Sequence, residues 1–188
     1  FWKYQGAGND FVMIDQRARS WITRTDTARV AWLCDRRFGI GADGLILLQQ
    51  CPDYDFEMVY FNADGRESTL CGNGGRCIAA FAKQLGVARE RYHFHAIDGA
   101  HEATVIERSA NDCWVELKMG DVRQVEQAGD DVFILNTGSP HYVRFVEDPG
   151  KKNMVEEGRA VRYSDRFRAA GINVNLVSAS PSIREGGR

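Results

Sequence analysis

Short apolar or alternating runs dominate the pattern along the chain. FVMID (11–15), LILLQQ (45–50), FEMVYF (56–61), YHFHAI (92–97), ATVIE (103–107), CWVELKM (113–119), VFILN (132–136) and HYVRFV (141–146) read as strands, because each is bounded by turn residues and none sustains a helical period. NADG (62–65) and DGAH (98–101) carry the Asp-Gly signal for reversal with positive φ, which predicts antiparallel neighbours in preference to parallel crossovers. Two stretches break the strand pattern. Residues 26–37 predict a helix that Thr25 or Asp26 caps and Gly39 ends. A second helix follows Cys71 and closes at Gly86; Ile78, Ala79, Ala80, Phe81, Ala82 and Leu85 make it apolar on nearly every face, so strands should enclose it. Residues 154–165 form a weaker, more polar helical segment. The class is α+β.

Composition narrows the chemistry. A chain of 188 residues is long enough to bury a core. With 24 basic and 26 acidic side chains the net charge is −2, without a long run of either sign, which points away from nucleic acid and anionic membranes and toward a small-molecule ligand. No stretch approaches the roughly 20 apolar residues of a membrane span, and FWKYQGAGNDF has no apolar signal region, so a cytoplasmic location is expected. The five cysteines lack a CxxC pair, which suits reduced thiols better than disulfides or zinc.

Several motifs dissolve on inspection. GIGADG (39–44) fits GxGxxG but lies between polar CDRRF and strand-like LILLQQ, the reverse of the strand-turn-helix order that nucleotide binding requires, and QGAGNDF (5–11) has too little chain before it. HFH (93–95) lacks a nearby third metal ligand and reads as a surface strand, and Cys77 reads as a core thiol inside the helix. Cys71 differs. In ESTLCGNGGRCIAAFAKQLG (67–86) it stands at a helix start among Gly72, Asn73, Gly74 and Gly75, where unpaired backbone N–H groups and the helix dipole favour a thiolate. The same glycines let a ligand carboxylate reach those amides. The competing explanation is a glycine-rich turn required only by backbone geometry.

GAGNDFVMID (6–15), RRFGIGADGL (36–45), MVYFNADGRESTLCGNGGRCIAAFA (58–82), NTGSPHYV (136–143) and GRAVRYSDRFRAAGINVNLV (158–177) closely resemble the diaminopimelate epimerase family, in the family order; CGNGGRC after FNADG is the most specific match. The resemblance implies two pseudo-symmetric domains, each with mostly antiparallel strands curled around a central helix, and a cleft that binds diaminopimelate. It implies interconversion of LL- and meso-2,6-diaminopimelate on the route to lysine and peptidoglycan precursors, without metal or other cofactor: one thiolate removes the α-proton and a thiol on the opposite face returns one. By resemblance Cys71 is one of these thiols, and Gly72 and Asn73 supply amides to the carboxylate. Asn9, Asn62 and Asn173 hold the substrate's polar groups, with His141 and Ser139 at the cleft. Read without the family, Asn62 is a turn residue, Asn9 a loop cap and His141 an ordinary strand residue. A homodimer is left open.

The departures are specific. The family's downstream Glu-Arg pair and Cys-Gly-Thr-Gly turn, which carries the second thiol, are absent from these residues, and Arg184-Glu185-Gly186 is not assigned that role. Gly44 and Ser139 replace a glutamine and an asparagine found in other members, shortening those contacts. The expected organisation is an N-terminal domain over 1–120 and a partial C-terminal domain over 121–188. A noncatalytic carboxylate-binding or assembly module stands as the alternative function, and a related isomerase with another substrate as a third.

Overall fold

The computed structural model describes residues 1–109 and 112–179; Arg184-Glu185-Gly186 lies outside them. The chain forms two compact units, Phe1–Met119 and a second from Gly120 onward.

The first unit runs β1 (Trp2–Gly6), β2 (Asn9–Asp15), α1 (Thr27–Cys34), β3 (Gly44–Gln49), β4 (Phe56–Asn62), α2 (Gly72–Gln84), β5 (Arg91–Ala96), β6 (Gly99–Ser109) and β7 (Asp112–Leu117). Its seven strands are hydrogen-bonded in chain order. Most neighbours are antiparallel, but β2–β3 and β4–β5 are parallel. This corrects the expectation that turns would replace crossovers. Ile97-Asp98 does join β5 to β6 as a tight hairpin, whereas NADG reverses the chain only as far as a Phe61–Glu67 bridge before it enters α2. The helices carry the two parallel steps, α1 between β2 and β3 and α2 between β4 and β5.

Alternation along the central strands divides the interior in two. Phe11, Met13, Ile46, Leu48, Phe56 and Met58 pack inward with Ile78 and Phe81 of α2, while Val12, Leu45, Leu47, Val59 and Phe61 pack outward with Val30 and Cys34 of α1. Burial on both faces is why LILL reads as an unbroken apolar run. Contacts reach α2 from both sheet edges, β1 and β7, as well as from β2, β3, β4 and β6. Phe81 is fully buried, with the rings of Trp2 and Tyr4 centred 5.0 and 5.7 Å away. Enclosure is not complete: Ala80 is half-buried and Gln84 exposed. The helix closes as expected, with Gly86 at φ +80° and the N–H groups of Val87 and Gly86 donating to the carbonyls of Ala82 and Lys83, both at 3.0 Å.

The first helix is shorter than its pattern suggests. It stops at Cys34 because Asp35 turns extended (ψ 128°) and its carboxylate accepts from the N–H groups of Arg37 and Phe38 at 2.8 and 2.7 Å. The chain then folds back, so that Ile40 and Gly41 donate to the Leu33 carbonyl. Gly39 permits this close return, since a Cβ there would sit 2.0 Å from the Trp32 oxygen. Asp26 is the N-cap residue, but its carboxylate accepts from the Thr23 N–H rather than from the helix.

The second unit contains β8 (Val125–Gly129), β9 (Val132–Asn136), β10 (Pro140–Phe145), α3 (Met154–Arg162) and β11 (Asn173–Val177). The sheet order is β11-β10-β9-β8, antiparallel except for β10–β11, which α3 connects. Hairpin, helix and parallel strand thus follow one another in β9-β10-α3-β11 as they do in β1-β2-α1-β3. Asn153 caps α3 by accepting from the N–H groups of Val155 and Glu156. No helix among the described residues is long and apolar enough to cross a membrane.

Candidate active site

The start of α2 is where the first unit's chemistry converges. Cys71 is its N-cap residue, extended at φ −87° and ψ 122°, and its carbonyl accepts from the Gly75 N–H at 2.7 Å. Its side chain makes no capping bond, so the half-buried sulfur is not engaged by the helix it begins. The glycines after it divide by role. A Cβ at Gly74 would lie 3.0 Å from the Ile46 Cδ1, and one at Gly75 would lie 2.9 Å from the Leu117 Cδ2, so these two let the helix start settle among β3 and β7. A Cβ at Gly72 would meet nothing nearer than an Arg76 nitrogen at 3.9 Å. Packing therefore accounts for Gly74 and Gly75 and leaves Gly72 open to a ligand. Cys77, one turn and a half inside, is buried among the core residues, and burial pushes its thiol up to about 12.

The β1–β2 hairpin abuts this helix start. Its two-residue turn, Ala7-Gly8, has φ +51° and +92°, the doubly positive geometry that suits the twist of paired strands. A Cβ on Gly6 would sit 3.1 Å from both the Asn73 carbonyl oxygen and the Cys77 sulfur. Close approach brings side chains together: Asn73 donates Nδ2–H to Asn9 Oδ1 at 2.6 Å, Asn9 donates Nδ2–H to Asp43 Oδ2 at 3.4 Å, and Arg76 donates to Asn73 Oδ1. The Asp43 carboxylate also accepts from the Asp10 N–H at 3.2 Å and from Arg36 at 2.8 Å. Arg36 and Lys3 both bind Asp10, and the Arg36 hydrogen bond above all holds that carboxyl well below the usual carboxylate range.

Asn62 ends β4, and its backbone does serve the NADG turn, its carbonyl accepting from the Gly65 N–H at 2.9 Å. Its side chain has a separate engagement, with Tyr60 donating O–H to Asn62 Oδ1 at 2.8 Å. Burial, with the nearby Cys71 adding to it, raises the Tyr60 hydroxyl well above the ordinary phenol value, so it remains a donor. Gly44 makes room for that ring, since a Cβ there would lie 2.7 Å from the Tyr60 Cε2.

A second group forms within the second unit. His141 Nδ1 accepts from Asn175 Nδ2 at 3.1 Å, which leaves Nε2 to donate to Ser139 Oγ at 3.2 Å. Asn173 donates Nδ2–H to the same Ser139 oxygen and to the Pro140 carbonyl, each at 3.2 Å. In parallel register His141 stands opposite Asn173, and Val143 opposite Asn175.

Cys71, Gly72, Asn73 and Asn9 thus cluster at one helix start with Asn62 held by Tyr60, while Ser139, His141 and Asn173 meet in the other unit. The sequence reading passed over Asp43, Arg76, Tyr60 and Asn175. Spacing offered a signal for three of them: Arg76 lies three residues after Asn73 on a helix, and Tyr60 and Asn175 lie two residues from Asn62 and Asn173 on strands, where such pairs share a face.

Comparison with known proteins bears on the whole arrangement. The chain is 51% identical over 176 residues to the diaminopimelate epimerase of Flavobacterium psychrophilum, covering 94% of this chain and 66% of that relative. It is 36% identical over 192 residues to the diaminopimelate epimerase of Aquifex aeolicus, covering 94% of this chain and 68% of the relative. Among solved structures, a hydroxyproline epimerase from Agrobacterium vitis matches with a TM-score of 0.59 at 14% identity, covering 96% of this chain and 66% of that one. A phenazine biosynthesis protein of the PhzF family from Bacillus anthracis matches with a TM-score of 0.58 at 15% identity, covering 77% and 52%. At such identities these two establish the fold alone. The family model for diaminopimelate epimerase matches residues 1–125, and with a sequence relative at 51% identity the chain belongs to the diaminopimelate epimerase family.

Proposed function

We propose that this chain is the Cys71-bearing part of a cofactor-independent, cytoplasmic epimerase that interconverts LL- and meso-2,6-diaminopimelate in lysine and peptidoglycan precursor synthesis. The observation that carries this reading is the sulfur of Cys71, uncommitted to capping, at a helix start where Gly72 is open and Asn73 is bonded to Asn9. In this mechanism the Cys71 thiolate removes the substrate's α-proton, becoming a thiol, and a second thiol on the opposite face gives its proton to the same carbon, which inverts. Charge that grows on the adjacent carboxylate is stabilised by the amides of Gly72 and Asn73 at the positive end of α2. Asn9, Asn62 and Asn173 hold the substrate's remaining polar groups, with Ser139 and His141 beside Asn173. None of the five cysteines stands in a Cys-Gly-Thr-Gly turn, so the chain carries one of the two thiols.

Iodoacetamide labelling near pH 8 with peptide mass spectrometry tests the assignment. Cys71 should react before Cys77 and Cys34, because those two are buried and their thiols pushed up to about 12 and about 11. Diaminopimelate should slow labelling of Cys71 several-fold, and lysine, with one carboxylate, should slow it less. The 188-residue chain alone should show little or no net epimerisation. Equal labelling of Cys71 and Cys77, unaffected by diaminopimelate, would sink the assignment. The absence of the second signature favours one other reading, a carboxylate-binding module; its mark is protection of Cys71 with no solvent deuterium entering the substrate at Cα.

A further inference from the structure

We infer that Arg76 and Asp43 are positioning residues that lock the side-chain amides of Asn9 and Asn73 in one orientation, so that each keeps an N–H to offer a ligand. An asparagine amide can turn over at little cost, exchanging its donor for its acceptor, unless its neighbours forbid it. Here the neighbours forbid it at both ends. A guanidinium only donates, so the atom of Asn73 that faces Arg76 has to be Oδ1. That choice puts the Asn73 nitrogen against Asn9, which must therefore present Oδ1 to it, and the pair lies 2.6 Å apart. The Asn9 nitrogen then faces Asp43, a carboxylate that only accepts, at 3.4 Å. The chain Arg76→Asn73→Asn9→Asp43 thus runs in one direction, fixed by a donor-only group at its head and an acceptor-only group at its tail. Each amide keeps one N–H with no protein partner among the described residues.

The tail is itself anchored. Asp43 Oδ2 accepts from the Asp10 N–H and Oδ1 from Arg36, so the carboxylate cannot swing away from Asn9 without losing both. The head is anchored by the helix, since Arg76 follows Asn73 by three residues on one face of α2. The consequence is a half-site in which each amide has one N–H left to donate, while each Oδ1 is already held by a donor and has only its second lone pair to offer. It favours a carboxylate end over the amino group of a ligand entering the wrong way round. This deepens the function proposed above and rests on it for the identity of the ligand.

The experiment pairs two readouts. In the unliganded protein, the side-chain NH2 groups of Asn9 and Asn73 should each give one bonded, slowly exchanging proton and one fast one by NMR. Asp43→Asn, which lets the tail donate as well as accept, should disturb both residues, including Asn73, which Asp43 does not touch; Arg76→Met should do the same from the other end. In calorimetric titration with diaminopimelate, each variant should weaken binding roughly tenfold, the worth of one misdirected hydrogen bond. Arg89→Gln removes the ion pair to Asp55, which shares no partner with this chain of amides, and should leave affinity within about twofold even where it lowers Tm. If Asp43→Asn changes only Asn9, or if it costs no more affinity than Arg89→Gln, the inference is wrong. If the unsubstituted protein fails to bind diaminopimelate, the proposed function falls, and the NMR coupling between the two ends still decides the orientation chain.

Discussion

Ala7 occupies the left-handed region at φ +51°, beside Gly8 at +92°, in the turn that delivers Asn9 to the start of α2. A β-carbon in that conformation is crowded against the following carbonyl, while asparagine tolerates it through local hydrogen bonding. The side chain of Ala7 is exposed, so a replacement meets solvent. Ala7→Asn should therefore raise stability by about 0.5–1 kcal/mol, seen as a higher urea midpoint at unchanged m. A lowered midpoint would mean that the turn has a geometry other than the one described.

Among the elements, α2 is the one on which both fold and site depend, and its exposure is uneven. Phe81 has no access to water and touches Trp2 and Tyr4, whereas Ala80 is half-buried. Phe81→Asp should leave the first unit unfolded, because an unpaired charge replaces an aromatic side chain whose loss to alanine alone costs about 3–5 kcal/mol. Ala80→Asp should cost far less and leave a cooperative thermal transition by circular dichroism, contrary to what an all-round apolar helix would suggest. The course of α2 was legible because residues 77–82 form an unbroken apolar run and Gly86 marks its end. Strands β1, β8 and β11 were not. WKYQG and VEQAG are edge strands with little to bury, and NVNLV interleaves asparagines that its neighbour β10 satisfies. The parallel steps were missed since local turn residues report a reversal of the chain and not which strand it finally joins. At the site, Cys71 stood out by its glycines, but Asp43 did not, because its partner Asn9 lies 34 residues away and only the tertiary fold introduces them.

Across the whole molecule, titrating groups set a window of stability. Asp10 and Asp15 are held below their ordinary range by Arg36 and Arg17, so near pH 4 the unfolded chain takes up protons that the folded one does not. Stability from these groups is present above about pH 4 and is lost as the pH falls through their lower folded values. Cys34 and Cys77 act at the other end: burial raises them to about 11 and about 12, so their contribution is intact below the unfolded thiol value of about 8.5 and is lost as the pH rises through the folded ones. Urea midpoints should hold level between about pH 5 and 8 and decline on both sides, and Asp10→Asn should flatten the acid limb while lowering the plateau. The contact of α2 with both β1 and β7 also bears on how the protein comes to be made. The two walls that flank the helix are supplied by residues 2–6 and 112–117, the first and last strands of the unit to leave the ribosome. Until the later one emerges, the apolar helix has its N-terminal end formed but one side bare, so the first unit cannot complete its core strand by strand during synthesis; it closes late, around a helix already waiting.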